Sequence, residues 1–313
     1  MTDIGCAPGD KVLLPVFGCH SLADTAISLG LEPLFYPVNE RFEADAGTAV
    51  NKADAKCRAV LYINYFGFPQ SQETVRRLKE TGLALIEDAT HSLFTESPEA
   101  PWDYRFASLR KLLPVPEGCL VQSQKPLGFS GNMPMAVKQR ANSFLRLLGL
   151  WAAERYRRRP SGFLKWLSGA LFYRAHAALD GNRPFGYVSG MTTRVLAGAD
   201  PERIRRRRRE NYLALAGALS PAIGLRPVMP ELPEGVCPVS LPVRAKNREL
   251  WRRALAALDI ESSVQWPLHP AADPGKFPGA AALAREILVL PASHHLEADE
   301  VQEMAGLINR LAE

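Results

Sequence analysis

Short apolar runs separated by stretches of helical period fill the first third of the chain, and their order predicts alternating strands and helices. Lys11 to Val16 reads as a strand entered from the turn Pro8-Gly9-Asp10, Leu22 to Leu29 as an amphipathic helix closed by Gly30, and Pro33 to Val38 as the next strand. A strand, helix, strand unit of this kind requires a right-handed crossover and a parallel pair. The cycle repeats with strand Ala59 to Ile63, helix Gln72 to Thr81 and strand Leu83 to Ile86, and Gly118 to Gln122 reads as a further strand. The pattern therefore predicts an α/β fold with a mostly parallel central sheet and flanking helices.

From Lys138 to Leu179 the pattern changes to long helical stretches rich in aromatics and arginines, such as Phe144-Leu-Arg-Leu-Leu-Gly-Leu-Trp151 and Phe163-Leu-Lys-Trp166-Leu. Arg155 and Arg157 to Arg159 adjoin apolar residues, which admits a membrane-surface reading. Packing against the large domain is the preferred expectation, because Pro160 and Gly162 interrupt the stretch. Gly181 to Tyr187 reads as a linker, and Asp200-Pro201 opens a helix as N-cap and first helical residue. Strand-like Val236 to Val243, helix Arg248 to Leu258 and the closing helix Glu297 to Leu311 read as a compact α+β region. The expected organisation is a large domain over residues 1–187, containing the helical segment 138–179, followed by a small C-terminal α+β domain over residues 188–313.

Composition narrows the function without choosing it. With 313 residues, 47% hydrophobic and 23% charged, the chain can bury one large core and a smaller one. A net charge of +5 suits an anionic ligand such as a nucleotide-sugar diphosphate but selects none. Five cysteines without a C-x-x-C pair suggest neither a zinc site nor a disulfide framework, so a reducing cytoplasm is expected. The N-terminus lacks a basic region followed by an apolar run, and no segment reaches the roughly 18 to 20 apolar residues of a span, so neither export nor integral membrane insertion is expected. The consecutive arginines Arg205 to Arg209 spread around a helix and cannot form one phosphate-reading stripe, which argues against a nucleic-acid partner. His294 and His295 are adjacent and point different ways, so no metal site is expected. The P-loop, dinucleotide-binding, zincin and nucleophile-elbow motifs are all absent.

Two places carry chemistry. The strand Leu83 to Ile86 ends in Glu87-Asp88, where an open α/β sheet exposes its functional edge. Lys111 lies in a segment bounded by Arg110, Pro114, Pro116 and the turn Glu117-Gly118, which pins its backbone in an irregular loop. A strand-terminal carboxylate and a loop-held lysine suit pyridoxal phosphate chemistry, in which a lysine amine forms a Schiff base and an aspartate keeps the pyridine nitrogen protonated. Read singly, Asp88 is equally a helix cap or salt-bridge partner, and Lys111 a solvated surface lysine.

In their order these residues resemble the DegT/StrS sugar aminotransferases of the pyridoxal phosphate fold type I superfamily. Members show a strand, then Glu-Asp-Ala-x-(Gln/His), then a serine-containing lysine loop closing in Glu-Gly-Gly. Ile86-Glu-Asp88-Ala-Thr-His91 fits the first motif; Lys111 and Glu117-Gly118 fit the second, with Ser108 nearer the lysine than usual and Cys119 in place of a glycine. Val12 to Pro15, Gly30 to Val38, Tyr65 to Pro69, Arg209 to Tyr212 and Ile287 to Pro291 fall in family order, so the resemblance covers most of the chain. It implies a fold type I large domain, pyridoxal 5'-phosphate as cofactor, and an aminotransferase acting on a keto-sugar nucleotide with an amino donor in amino-sugar or polysaccharide biosynthesis, as a homodimer. It implies Lys111 as Schiff-base lysine and proton carrier and Asp88 as pyridinium partner. His91 would contact the ring hydroxyl, Ser108 would be a further cofactor contact, and His20 would stand where the family stacks an aromatic ring. His269 falls in a loop comparable to those that present substrate-facing residues, with a solvated loop histidine as the plainer reading. Family members carry a phosphate-binding Gly-Thr or Gly-Ser turn some tens of residues before the first strand seen here, and this chain begins after that point. Gly186 to Met191 matches a segment whose asparagine and arginine hold phosphate, but Val188 and Gly190 stand there instead. Two other readings stay open: a cofactor-poor binding or scaffold protein, and a different pyridoxal phosphate reaction such as elimination.

Overall fold

The computed structural model describes residues 1–96, 101–128, 135–177, 186–221 and 224–311; most of the expected linker 181–187 lies outside them. The chain forms two compact units, one built from Met1–Ala107, Val121–Pro126 and Asp200–Glu313, the other from Ser108–Leu120 and Leu127–Ala199.

In the first unit, β1 (Lys11–Pro15), β2 (Glu32–Tyr36), β3 (Cys57–Ile63), β4 (Ala84–Asp88), β5 (Tyr104–Ser108) and β6 (Cys119–Ser123) form a sheet in the order β2-β1-β3-β4-β5-β6. The pairs from β2 through β5 are parallel, with Ile63 opposite Asp88 and Asp88 opposite Phe106. Crossovers run through α1 (His20–Ser28), α2 (Ala46–Lys52) and α3 (Gln72–Lys79). Helix α3 starts where the Ser71 hydroxyl accepts from the Thr74 N–H, and it buries Val75 and Leu78. The sheet is covered on both faces, so its strands are apolar at successive positions. Val12, Leu14, Leu61, Ile63 and Ile86 enter one core; Leu13, Val60, Tyr62 and Leu85 enter another.

A second, antiparallel sheet has the order β7-β8-β10-β9, with β7 (Leu225–Pro227), β8 (Ser240–Ala245), β9 (Ser263–Val264) and β10 (Ile287–Pro291). Around it lie α7 (Pro201–Ala218), α8 (Arg248–Ala257), α9 (Pro278–Glu286) and α10 (Ala298–Arg310). Asp200 caps α7 by accepting from the Arg203 N–H, and Pro201 opens the helix, as the sequence predicts. Phe277, Ala280, Leu283, Ile287 and Val289 join the same core as β1 and β3. That shared apolar burial is why the C-terminal sheet and the parallel sheet form one unit. Arg205, Arg208 and Arg209 of α7 are engaged within the protein. Arg208 donates to the Pro238 and Val239 carbonyls and to His294 Nδ1, Arg209 donates to the carbonyls of Pro233 and Val236, and Arg205 pairs with Glu96 and Glu202.

The second unit contains α4 (Val137–Arg158), α5 (Gly162–Ala177) and α6 (Gly190–Ala197). Helices α4 and α5 pack on each other across the break at Pro160, and the absence of a Cβ at Gly149 lets the Phe172 ring approach its backbone.

Candidate active site

Asp88 is the last residue of β4 and is 7% exposed. Its Oδ1 accepts from the Thr90 N–H at 2.9 Å, and its carbonyl accepts from the Asn64 N–H at 3.2 Å. Because side chains alternate along a strand, Glu87 points to the opposite face, where it is fully buried. There it accepts from Tyr62 Oη, Asn64 Nδ2 and Arg105 Nε at 3.2, 2.8 and 3.2 Å. Burial pushes the Glu87 carboxyl above its usual range even with Arg105 beside it. The adjacent acids therefore divide: Glu87 ties strands together, and Asp88 stands at the C-terminal edge of the parallel sheet, where such folds place their ligands.

His91 is buried at 4% exposure, and its Nδ1 accepts from the Phe66 N–H at 3.3 Å. With Nδ1 as acceptor, the neutral ring carries its proton on Nε2. The imidazole stacks on Trp266 at 5.4 Å with 17° between planes, and Trp266 in turn contacts Phe17, Tyr65 and Phe66. Trp266 is the residue that sequence reasoning passed over. It lies in the segment Gln265 to Pro270 that drew notice for His269. Replacing His91 with leucine leaves the buried Phe66 N–H without its acceptor, at an expected cost of about 1 to 3 kcal/mol. Glutamine can offer Oε1 in its place, so denaturant melts are expected to rank wild type, His91→Gln and His91→Leu in falling stability. Equal stability of the two variants would remove the polar role.

His20 opens α1, and its Nε2 lies 2.9 Å from the Pro267 carbonyl; its ring meets His269 edge-on at 5.2 Å. His269 is not a solvated loop histidine. It is 8% exposed, accepts from the Ala271 N–H at Nδ1 and places Nε2 3.0 Å from Asp24 Oδ1. His20 and His269 thus tie α1 to the loop that carries Trp266.

In the second unit, Leu109–Lys111 form a single 3-10 turn, with Ser108 preceding it and the Lys111 side chain exposed. The turn is closed by a hydrogen bond from the Leu109 N–H to the Gly118 carbonyl. Glu117 Oε1 accepts from the Ser189 N–H at 3.0 Å, Ser189 Oγ at 2.7 Å and Thr192 Oγ1 at 2.6 Å. Burial works to raise the Glu117 carboxyl, yet donors from Ser143, Thr192 and Ser189 together hold it below its usual range. Ser189 also caps α6. The Glu-Gly motif after the lysine therefore anchors the start of α6 to the lysine loop.

A pyridoxal phosphate ring requires a carboxylate for its ring nitrogen, a donor for its ring oxygen, an amine for its aldehyde and donors for its phosphate. Asp88, His91 with its proton on Nε2, and Lys111 match the first three by residue type. The phosphate is less well served: Val188 and Gly190 have no side-chain donors, and the Ser189 hydroxyl is engaged by Glu117. Among the described residues no cluster of three potential metal ligands occurs, and no helix is long and apolar enough to cross a membrane.

Residues 1–100 match the model of the DegT/DnrJ/EryC1/StrS aminotransferase family. A UDP-N-acetyl-3-dehydro-alpha-D-glucosamine 3-aminotransferase of Acidithiobacillus ferrooxidans is 22% identical over 320 residues, covering 97% of this chain and 78% of the relative. A GDP-perosamine synthase of Vibrio cholerae is 28% identical over 97 residues, which span 30% of this chain and 26% of that protein. The solved structure of the aminotransferase TlmJ from Streptoalloteichus hindustanus superposes with a TM-score of 0.71 at 22% identity, over 99% of this chain and 81% of that one. At that identity the likeness shows the fold alone. Over its first 100 residues the chain is thus similar to the DegT/DnrJ/EryC1/StrS aminotransferase family, and over nearly its whole length to relatives and structures at 22% identity.

Proposed function

We propose that the protein is a pyridoxal phosphate-dependent aminotransferase that converts a keto-sugar nucleotide to an amino sugar for amino-sugar or polysaccharide biosynthesis. The observation that carries this reading is the edge of β4, where a buried carboxylate, Asp88, is followed by an imidazole, His91, whose Nδ1 is engaged so that Nε2 is the donor. Relatives whose names specify sugar-nucleotide substrates support the substrate class. When bound, the cofactor supplies the electron sink for amino-group transfer. Asp88 would hold negative charge against the ring nitrogen, and His91 Nε2 would donate to the ring oxygen. Lys111 Nζ would bind the aldehyde and then carry the proton to and from the substrate carbon, with Ser108 and His20 as further cofactor contacts. A homodimer is part of the same proposal, on the strength of the family resemblance; light scattering that gives a monomer would oppose it.

The exposed Lys111 and the lack of phosphate donors at Val188 and Gly190 favour a second reading, a cofactor-poor binding or scaffold protein. One experiment separates the two. Protein supplied with pyridoxal phosphate is expected to gain a near-visible absorbance band, and borohydride is expected to fix one label on Lys111; Lys111→Ala should lose both. Absence of band and label in the wild type would turn the assignment to the scaffold reading.

A further inference from the structure

The α4–α5 hairpin leaves a row of large apolar side chains in solvent. Phe144, Leu148 and Trp151 are spaced four and three residues apart, so they share one face of α4; Arg155 and Arg158 continue the same face toward the turn. Trp151 is 55% exposed, with the Arg155 guanidinium 6.0 Å from its ring. On α5 the same spacing aligns Trp166, 65% exposed, with Tyr173, 77% exposed, while Phe163 packs beside Trp166 at 6.1 Å. Gly162, Gly169 and Ala170 leave a shallow trough of about 520 Å³ along this face, flanked by the two aromatic rings. Solvent alone gives no reason for such a surface, because exposed apolar area on this scale marks a binding face.

Charge identifies the occupant. Residues 137–177 contain nine lysines and arginines against one acid, Glu154, an excess larger than the net +5 of the whole chain. Glu154 pairs with Arg157 and Arg158, and Arg155 and Arg159 add to the cationic end beside Pro160. A second copy of the same face would bring like charges together, which disfavours self-association through it. Tryptophan, tyrosine and phenylalanine interleaved with arginine on helices too short or too charged to span suit the interface of an anionic bilayer. There the rings insert at headgroup depth and the guanidiniums meet lipid phosphates.

We propose that the α4–α5 hairpin docks the protein peripherally on anionic lipid membranes, through Trp151, Phe163 and Trp166 and the arginines Arg155 to Arg159 at its turn. The test is flotation of the full-length protein with vesicles of phosphatidylglycerol and phosphatidylcholine in equal parts, against vesicles of phosphatidylcholine alone. Wild type is expected to float with the anionic vesicles only, to be released by salt, and to show a blue shift of tryptophan emission. Arg157→Gln with Arg158→Gln and Arg159→Gln is expected to lower partitioning on the order of 100-fold, from three basic residues near the surface. Trp151→Ser with Phe163→Ser and Trp166→Ser is expected to abolish the shift. These positions are exposed, so circular dichroism should show both variants folded. Three outcomes would overturn the proposal: no binding to anionic vesicles, undiminished binding by the folded aromatic variant, or oligomers in light scattering that the aromatic variant dissolves. Binding of polyuridylate by wild type without vesicle binding would assign the surface to nucleic acid instead.

Discussion

Asp88→Asn is expected to slow amino transfer by about 10² to 10³-fold while leaving the fold intact. The substitution keeps an oxygen where Oδ1 accepts the Thr90 N–H, so the turn that ends β4 retains its hydrogen bond. What it removes is the negative charge at the sheet edge. A preorganised charge or donor in a water-poor site contributes on that scale to rate, because it needs no reorganisation as the reaction proceeds. Single-turnover half-reactions with an amino donor, read beside thermal melts, separate the two effects. A rate equal to wild type would remove Asp88 from the mechanism; a collapse of the melting temperature would make it a structural residue. Glu87 is the internal contrast. It is more deeply buried than Asp88 and has three hydrogen-bonding partners, so Glu87→Gln should act on stability before it acts on turnover.

The parallel sheet is legible in the sequence because its strands are buried on both faces and read as plain apolar runs, as in Cys57–Ile63. Helix starts are legible where a side chain caps them, as at Ser71 and Asp200. Strand β5 escapes notice because Arg105 interrupts its apolar pattern; the guanidinium is accommodated by Glu87 on β4 and Gln122 on β6. Helix α2 escapes because seven residues of mostly small side chains carry little periodicity. Asp88 and His91 stand three residues apart, so one motif reveals both. Trp266 reaches His91 from far along the chain, and no local pattern encodes that stacking. The return of residues 277–289 into the core of β1 and β3 is non-local in the same way.

Gly67→Ala is expected to be the most destabilising single methyl addition in the first unit, at about 4 kcal/mol or more, in the range reserved for severe packing conflict. Gly67 has φ near +103°, outside what an L side chain adopts easily, and a Cβ built there would lie 2.2 Å from the Cys237 carbonyl oxygen and 2.9 Å from Pro238 Cα. Neither obstacle can swing aside, because both belong to a backbone strap fixed on the 65–67 turn. The Thr95 hydroxyl donates to the Gly67 carbonyl at 2.7 Å and accepts from the Cys237 N–H at 2.9 Å, and the Val239 N–H donates to the Phe66 carbonyl at 3.0 Å. Phe66 also supplies the N–H that orients His91, so displacing the strap should disturb the imidazole as well. Gly82→Ala is the control. Gly82 also has positive φ, near +69°, but nothing lies within 4 Å of its added Cβ, so only the conformational cost of about 1 kcal/mol applies. Urea melts of the two variants should therefore differ by about 3 kcal/mol, the difference measuring the steric conflict alone. Similar midpoints for Gly67→Ala and Gly82→Ala would mean that the strap yields, and that the contact between residues 65–67 and 237–239 does not fix His91.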